Sequence, residues 1–165
     1  MLMEIPGVCE LAARTIVSEI GTDMKRFPSD AHLISWAGLC PRSDQSAGKQ
    51  RSTRIRDGAP WLREVLVQCA WSATRTKGTY LRAFFYRLRA RRGPLKALVA
   101  VARTILQSAY HMLRTGEAYR ELGETYLDAL HQKRSVQHLV QRIQKMGYSV
   151  NITELPAAAA VGSFS

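Results

Sequence analysis

The chain has 165 residues, 46% of them hydrophobic, which is enough for one domain with an apolar core and excludes a disordered chain. Twenty-four Lys and Arg against thirteen Asp and Glu leave a formal charge of +11, so a polyanion, nucleic acid first, is the expected partner. Cys9, Cys40 and Cys69 lack Cys-x-x-Cys spacing, which argues against a disulfide framework or a zinc ribbon and predicts reduced, buried thiols; no apolar run approaches the about 18 residues of a membrane span.

The predicted elements are helical from end to end. "IPGVCELAARTIVSEIG" places a Pro-Gly turn before a helix carrying Leu11, Ala12, Ile16, Val17 and Ile20, which reads as the second half of a helix-hairpin-helix over 1–21. Such a turn offers backbone N–H groups to a phosphate, which makes Gly7 a candidate nucleic-acid contact. Cys9 stands where a second glycine is usual, and its side chain would crowd that approach. "SDAHLISWAGL" follows as a short helix capped by Ser29, with Trp36 expected in the core.

After the polar segment 41–60, "APWLREVLVQCAWSATRTKG" starts on proline and stops on Gly78, with Trp61, Leu62, Val65, Leu66, Cys69, Ala70 and Ala73 at helical steps. "TYLRAFFYRLRARRG" is capped by Thr79 and sets Leu81, Phe84, Phe85 and Leu88 against a basic face. "PLKALVAVARTILQSAYHMLRTG" is apolar over a wide arc and is the expected central core helix. "SVQHLVQRIQKMGYSV" predicts a serine-capped helix through Met146 and then a short strand, and "PAAAAVGSFS" a disordered end. The expected fold is mainly α: a compact helical domain over 1–130 with its helical core at 60–116, a C-terminal helix with a short extension over 131–152, and a tail over 153–165.

Charge is unevenly placed. Residues 1–40 carry three basic and five acidic groups, whereas Arg75 to Lys96 holds eight basic groups and no acid. Arg75, Lys77, Arg87, Arg89, Arg91 and Arg92 are therefore candidate nucleic-acid contacts. A second basic run, "DQSAGKQRSTRIRDG", adds Arg51, Arg54 and Arg56. One such run is often a solvated face; two flanking a single apolar helix favour a polyanion site.

The order "IPGV", "EIGTDMKRFPSDAHLISWAGLCP", "SAGK", "WLREVLVQCAW", "ATRTKGTYL", "RLRARRGPLKALVAVARTIL", "YHMLRTG", "YRELGETY" resembles the C-terminal domain of the insertion-sequence one-ten family of transposases, over roughly Ile5 to Tyr148. The resemblance implies a bacterial, cytoplasmic DNA recombinase and a catalytic serine, Ser46, in "QSAGK". It also implies four acidic metal ligands in a RuvC-like domain that precedes this one, and a structured guide RNA. Magnesium is expected in that acidic domain and no cofactor in this chain. The chain begins almost at the hairpin, so it is expected to be truncated and inactive alone, with a RuvC-like domain or a full-length homologue, DNA, guide RNA and further copies of itself as partners, and no membrane. Where relatives tend to have Lys-Gly-Asn before the Trp-Leu-Arg helix, this chain has Asp57-Gly58-Ala59-Pro60.

Spacing alone reads Ser46 as a turn serine. With the resemblance, Ala47 and Gly48 leave room for a hydroxyl to reach a phosphodiester, and Lys49, Arg51 and Arg54 supply cations for the charge that develops; Lys49 joins Ser46 as a candidate catalytic group. Ser43 and Ser52 have no comparable support. His32, His111, His131 and His138 lack metal-ligand spacing, and Glu117, Glu121, Glu124 and Asp128 recur at helical steps as a solvated acidic face. Two functions from different classes remain: the serine-bearing part of a transposase, and a nucleic-acid-binding relic without chemistry.

Overall fold

The computed structural model describes residues 1–40, 44–46, 49–52 and 58–152, and their fold is mainly α. A 3-10 turn at Leu2–Glu4 leads to α1, Glu10–Ile20, and a second at Met24–Arg26 leads to α2, Asp30–Trp36. A two-stranded antiparallel hairpin follows, β1, Asp44–Ser46, and β2, Lys49–Ser52. Then come α3, Pro60–Ala73, α4, Tyr80–Arg92, α5, Pro94–Thr115, and α6, Tyr126–Lys145. The chain divides after Leu127 into two units, the second beginning at Asp128 within α6.

Helix ends follow local chemistry. α3 and α5 start on Pro60 and Pro94, whose missing N–H costs nothing in a first turn. The Thr79 hydroxyl accepts from the Arg82 amide at 3.4 Å and starts α4, which stops at Gly93, φ +84°. α5 closes on left-handed Gly116, whose N–H donates to the Met112 carbonyl at 2.9 Å.

The core of the first unit is built on α5, which packs against α2, α3 and α4, while α1 packs on α3. Leu98, Val101, Ile105, Leu106 and Tyr110 are buried along α5, and Ala97, Ala102 and Ala109 between them let neighbouring backbones approach. Ala12, Ile16 and Ile20 from α1, Leu33 and Ile34 from α2, and Leu62, Leu66, Cys69, Ala70 and Ala73 from α3 complete it. Each fully buried Leu or Ile contributes about 1.5–3 kcal/mol by leaving water. Polar ties fix α2 and the turn before it on α5: Gln107 Nε2 donates to Asp30 Oδ2 at 2.5 Å, and Tyr110 Oη donates to the Phe27 carbonyl at 3.2 Å.

Several expectations need correction. Trp36 is 43% exposed and leans on the Phe27 ring at 5.7 Å, because Leu33 and Ile34 already fill the α2 contact with the core. Leu11 and Trp61 also face outward, each one position before the first residue that its helix buries, and so does Leu95, two positions before Ala97, the first buried residue of α5. Of the three thiols only Cys69 is buried; Cys40 is half-buried and Cys9 exposed, at the N-cap of α1. Ser29 does not cap α2 with its side chain; its hydroxyl instead meets His32 Nδ1 at 2.8 Å. α6 starts nine residues before Ser135, so that serine lies inside the helix, and residues 148–150 form no strand. The predicted tail, 153–165, lies outside the described residues.

Glu117, Glu121 and Glu124 do not share a helix face either. Residues 116–123 run without helix across the first unit, held by two carboxylates. Glu4 Oε2 accepts from the Tyr119 amide at 3.0 Å, and Glu121 Oε1 accepts from the amides of Tyr80, 2.7 Å, and Gly123, 3.0 Å.

Candidate nucleic-acid interface

Two places in the first unit gather the candidate residues. The first is the hairpin. Its register pairs Ser46 with Lys49, Gln45 with Gln50 and, across an irregularity, Asp44 with Ser52. Ser46 thus ends β1 directly opposite Lys49, which starts β2, and Arg51 lies further along β2. No strand was expected from the sequence of this segment. Ser43, Arg54 and Arg56 lie outside the described residues.

The base of this segment has a feature that the sequence reading missed. A Cβ at Gly58 would overlap the backbone of Ala37 and Gly38, so the chain returns from the hairpin against the turn it left at the end of α2. Only glycine permits that approach. The signal was present as two glycines flanking the basic segment, but neither has a pattern that announces a contact.

The second place is the outer side of α4 and the turn before it. Arg75 and Lys77 stand exposed in the turn after α3; Arg89, Arg91 and Arg92 stand exposed in the last turn of α4, and Arg87 is half-buried. Part of this clustering has a local cause, since cations in a last turn complement the helix dipole. The dipole does not account for Arg75, Lys77 or Arg82. None of Arg75, Lys77, Arg82, Arg89, Arg91 and Arg92 has a carboxylate partner among the described residues.

Between the end of α3, α4 and Pro94 lies an open groove of about 550 Å³, lined by Trp71, Thr74, Arg75, Arg82, Phe85, Tyr86, Arg89 and Pro94. Trp71, Arg82 and Tyr86 were not singled out from the sequence. The i, i+4, i+7 spacing of Arg82, Tyr86 and Arg89 was the available signal.

Gly7 belongs to neither place. Its φ is +87°, and a Cβ there would overlap the Cys69 carbonyl and crowd Ala73, so this glycine lets the N-terminal turn lie on α3. The turn is preceded by the 3-10 turn of Leu2–Glu4. Among the described residues no three His, Cys, Asp or Glu side chains converge on one point, and no helix is long and apolar enough to cross a membrane. His111 Nε2 lies 3.9 Å from Asp30 Oδ2, an isolated contact.

The first unit is thus a mainly helical domain with a basic face and an aromatic-lined groove beside it. The family described as Transposase IS116/IS110/IS902 family matches residues 1–86, and the chain belongs to it. A protein of Sinorhizobium fredii (strain NBRC 101917 / NGR234) titled "Putative transposase y4pF/y4sB" is 32% identical over 125 residues, 73% of this chain and 32% of that protein. The chain thus spans about a third of the length of that curated relative.

Proposed function

We propose that this chain is the serine-bearing, nucleic-acid-binding part of an insertion-sequence transposase and serves DNA transposition. Family membership carries the reading, and the basic face from Arg75 to Arg92 supports it. In this reading Ser46 is the nucleophile: its Oγ bonds to the phosphorus of a DNA strand, the departing strand oxygen takes a proton, and Lys49, its backbone partner across the hairpin, balances the charge that builds on the phosphate. Arg51, Arg54 and Arg56 add to the positive charge of the same segment.

In this reading magnesium is held outside the described residues, among which no three His, Cys, Asp or Glu side chains group together. An acidic, RuvC-like domain, in the same polypeptide or another, would carry that function, and a structured RNA would choose the DNA. Assembly from several copies belongs to the same proposal.

The test is complementation. The chain is mixed with a RuvC-like domain from a full-length homologue, its RNA, DNA and a magnesium salt, and protein–DNA adducts are sought on denaturing gels. An adduct mapping by mass to Ser46 is the expected result. A complex that binds DNA and RNA yet forms no adduct supports instead a binding relic.

A further inference from the structure

Phosphate neutralisation explains the arginines of α4 but not the aromatic rings set among them. Trp71 is 45% exposed and Tyr86 48% exposed, and both line the 550 Å³ groove. The guanidinium carbons of Arg82 and Arg89 lie 5.6 and 5.9 Å from the Tyr86 ring centre, so the ring holds two cations over the groove. Trp71 is fixed from behind by Phe85, ring centres 6.3 Å apart, and its carbonyl accepts from the Thr74 hydroxyl at 2.7 Å. Cation–π pairs along one helix are ordinary. Here a second helix contributes an indole and the following turn contributes Arg75, and no carboxylate lines the groove.

A flat, partly exposed indole beside three guanidinium groups matches the two halves of a nucleotide, a π face and an anion. The volume falls in the about 300–1,000 Å³ range of small-molecule sites, suited to one nucleotide, while the paired bases of a duplex present no free face to the indole. We propose that this groove takes an unpaired nucleotide of a DNA strand, its base on Trp71 and its phosphates on Arg75, Arg82 and Arg89. The inference rests on the DNA-binding reading above and adds a preference for unpaired over paired DNA at this face.

The experiment uses the full chain with Trp36→Phe and Trp61→Phe, so that Trp71 alone reports by fluorescence. Three probes of equal phosphate number are titrated: oligo-thymidine, the same strand made abasic, and a blunt hairpin duplex. Oligo-thymidine should quench Trp71; the abasic strand and the duplex should bind without quenching it. Trp71→Ala should weaken oligo-thymidine binding roughly 10- to 100-fold and change duplex binding less than about threefold, with Trp71→Phe in between. Equal binding and equal quenching by the abasic strand overturn the proposal without any substitution, and so does an equal loss for both DNA forms in Trp71→Ala. An RNA oligonucleotide that binds more than tenfold tighter than its DNA counterpart overturns the assignment to DNA. Binding to none of the probes overturns the proposed function itself, an outcome distinct from binding without base dependence.

Discussion

The carboxylate of Glu121 accepts a hydrogen bond from the Tyr80 amide at 2.7 Å, so the first amide of α4 is closed by a residue 41 positions further along the chain. α4 has no acidic residue in its own first turn and carries three arginines in its last. Glu121 therefore supplies from outside the negative charge that the positive end of the helix dipole favours. Glu121→Ala should lower unfolding free energy by about 1 kcal/mol in urea titration, and Glu121→Gln by about half as much, because the amide keeps an acceptor but not the charge. A Glu121→Ala protein within a few tenths of wild type would show that water replaces the cap at no cost.

Gly7 offers a sharper test of packing. Its positive φ and the overlap of any Cβ with the α3 backbone act together, so Gly7→Ala should cost at least about 2 kcal/mol. Thermal unfolding measures it. A smaller loss would mean that α1 and α3 separate readily and would reopen a role for the turn in phosphate contact. The Cys9→Gly change should leave stability within a few tenths, since an N-cap accepts glycine well; a gain in DNA affinity in that variant would assign the turn to phosphate binding.

The sequence made α3, α4 and α5 legible because each begins or ends on residues with a local reason: Pro60, Thr79, Gly93 with Pro94, and Gly116. The buried face of α5 was legible from its spacing. What was not legible depends on partners distant in the chain. Glu121 looks like one step of an acidic helix until Tyr80 is placed beside it, and Gly58 looks like a turn residue until Gly38 lies under it. Trp71 falls between the positions that mark the apolar stripe of α3 and so carried no signal; only the packing of α4 on α5 shows that the core closes at Phe85 and leaves the indole half outside. The pairing of Ser46 with Lys49 was missed because DQS and KQRS contain no apolar residue to mark a strand.

Burial pushes the Cys69 thiol up to about 11, with Cys9 adding to the effect, while Cys9 itself is exposed. Burial likewise raises the Tyr80 phenol, helped by Tyr126, and the Tyr119 phenol, helped by Glu121. All three groups bind their protons more tightly when folded, so this stability is whole below about pH 9 and is lost as pH rises from there through 11 and beyond. The melting temperature should hold between pH 7 and 8.5 and fall above 9, less steeply in Cys69→Ala. A thiol reagent at pH 8 should label Cys9 rapidly and Cys69 only on unfolding. Rapid labelling of Cys69 in the folded protein would contradict its burial.

The basic face predicts a measurable salt dependence. If about five phosphates are neutralised, the logarithm of the duplex-DNA binding constant should fall with the logarithm of salt with a slope of about −4 to −5. Changing Arg87, Arg89, Arg91 and Arg92 together to Gln should flatten it by about 3. An unchanged slope would move the interface to the hairpin segment, and a slope near zero in the wild type would remove nucleic acid as a partner.

Ser46 and Lys49 are backbone partners across the hairpin, and that pairing gives the complemented reaction a graded prediction. Ser46→Ala should abolish the protein–DNA adduct while leaving DNA affinity within a few tenths of a kcal/mol, since one hydroxyl contributes little to either binding or folding. Lys49→Ala should retain the adduct but form it roughly ten- to a thousandfold more slowly, because the cation acts on charge that appears only as the phosphorus is attacked. Lys49→Arg should recover part of the rate, and Arg51→Ala, two residues further along β2, should slow it less than Lys49→Ala. Rates come from adduct accumulation at saturating DNA, so that weaker binding and slower chemistry separate. If Lys49→Ala raises the DNA concentration needed but leaves the saturated rate intact, the lysine holds the strand and takes no part in the step; an adduct at Ser43 or a tyrosine would move the nucleophile elsewhere.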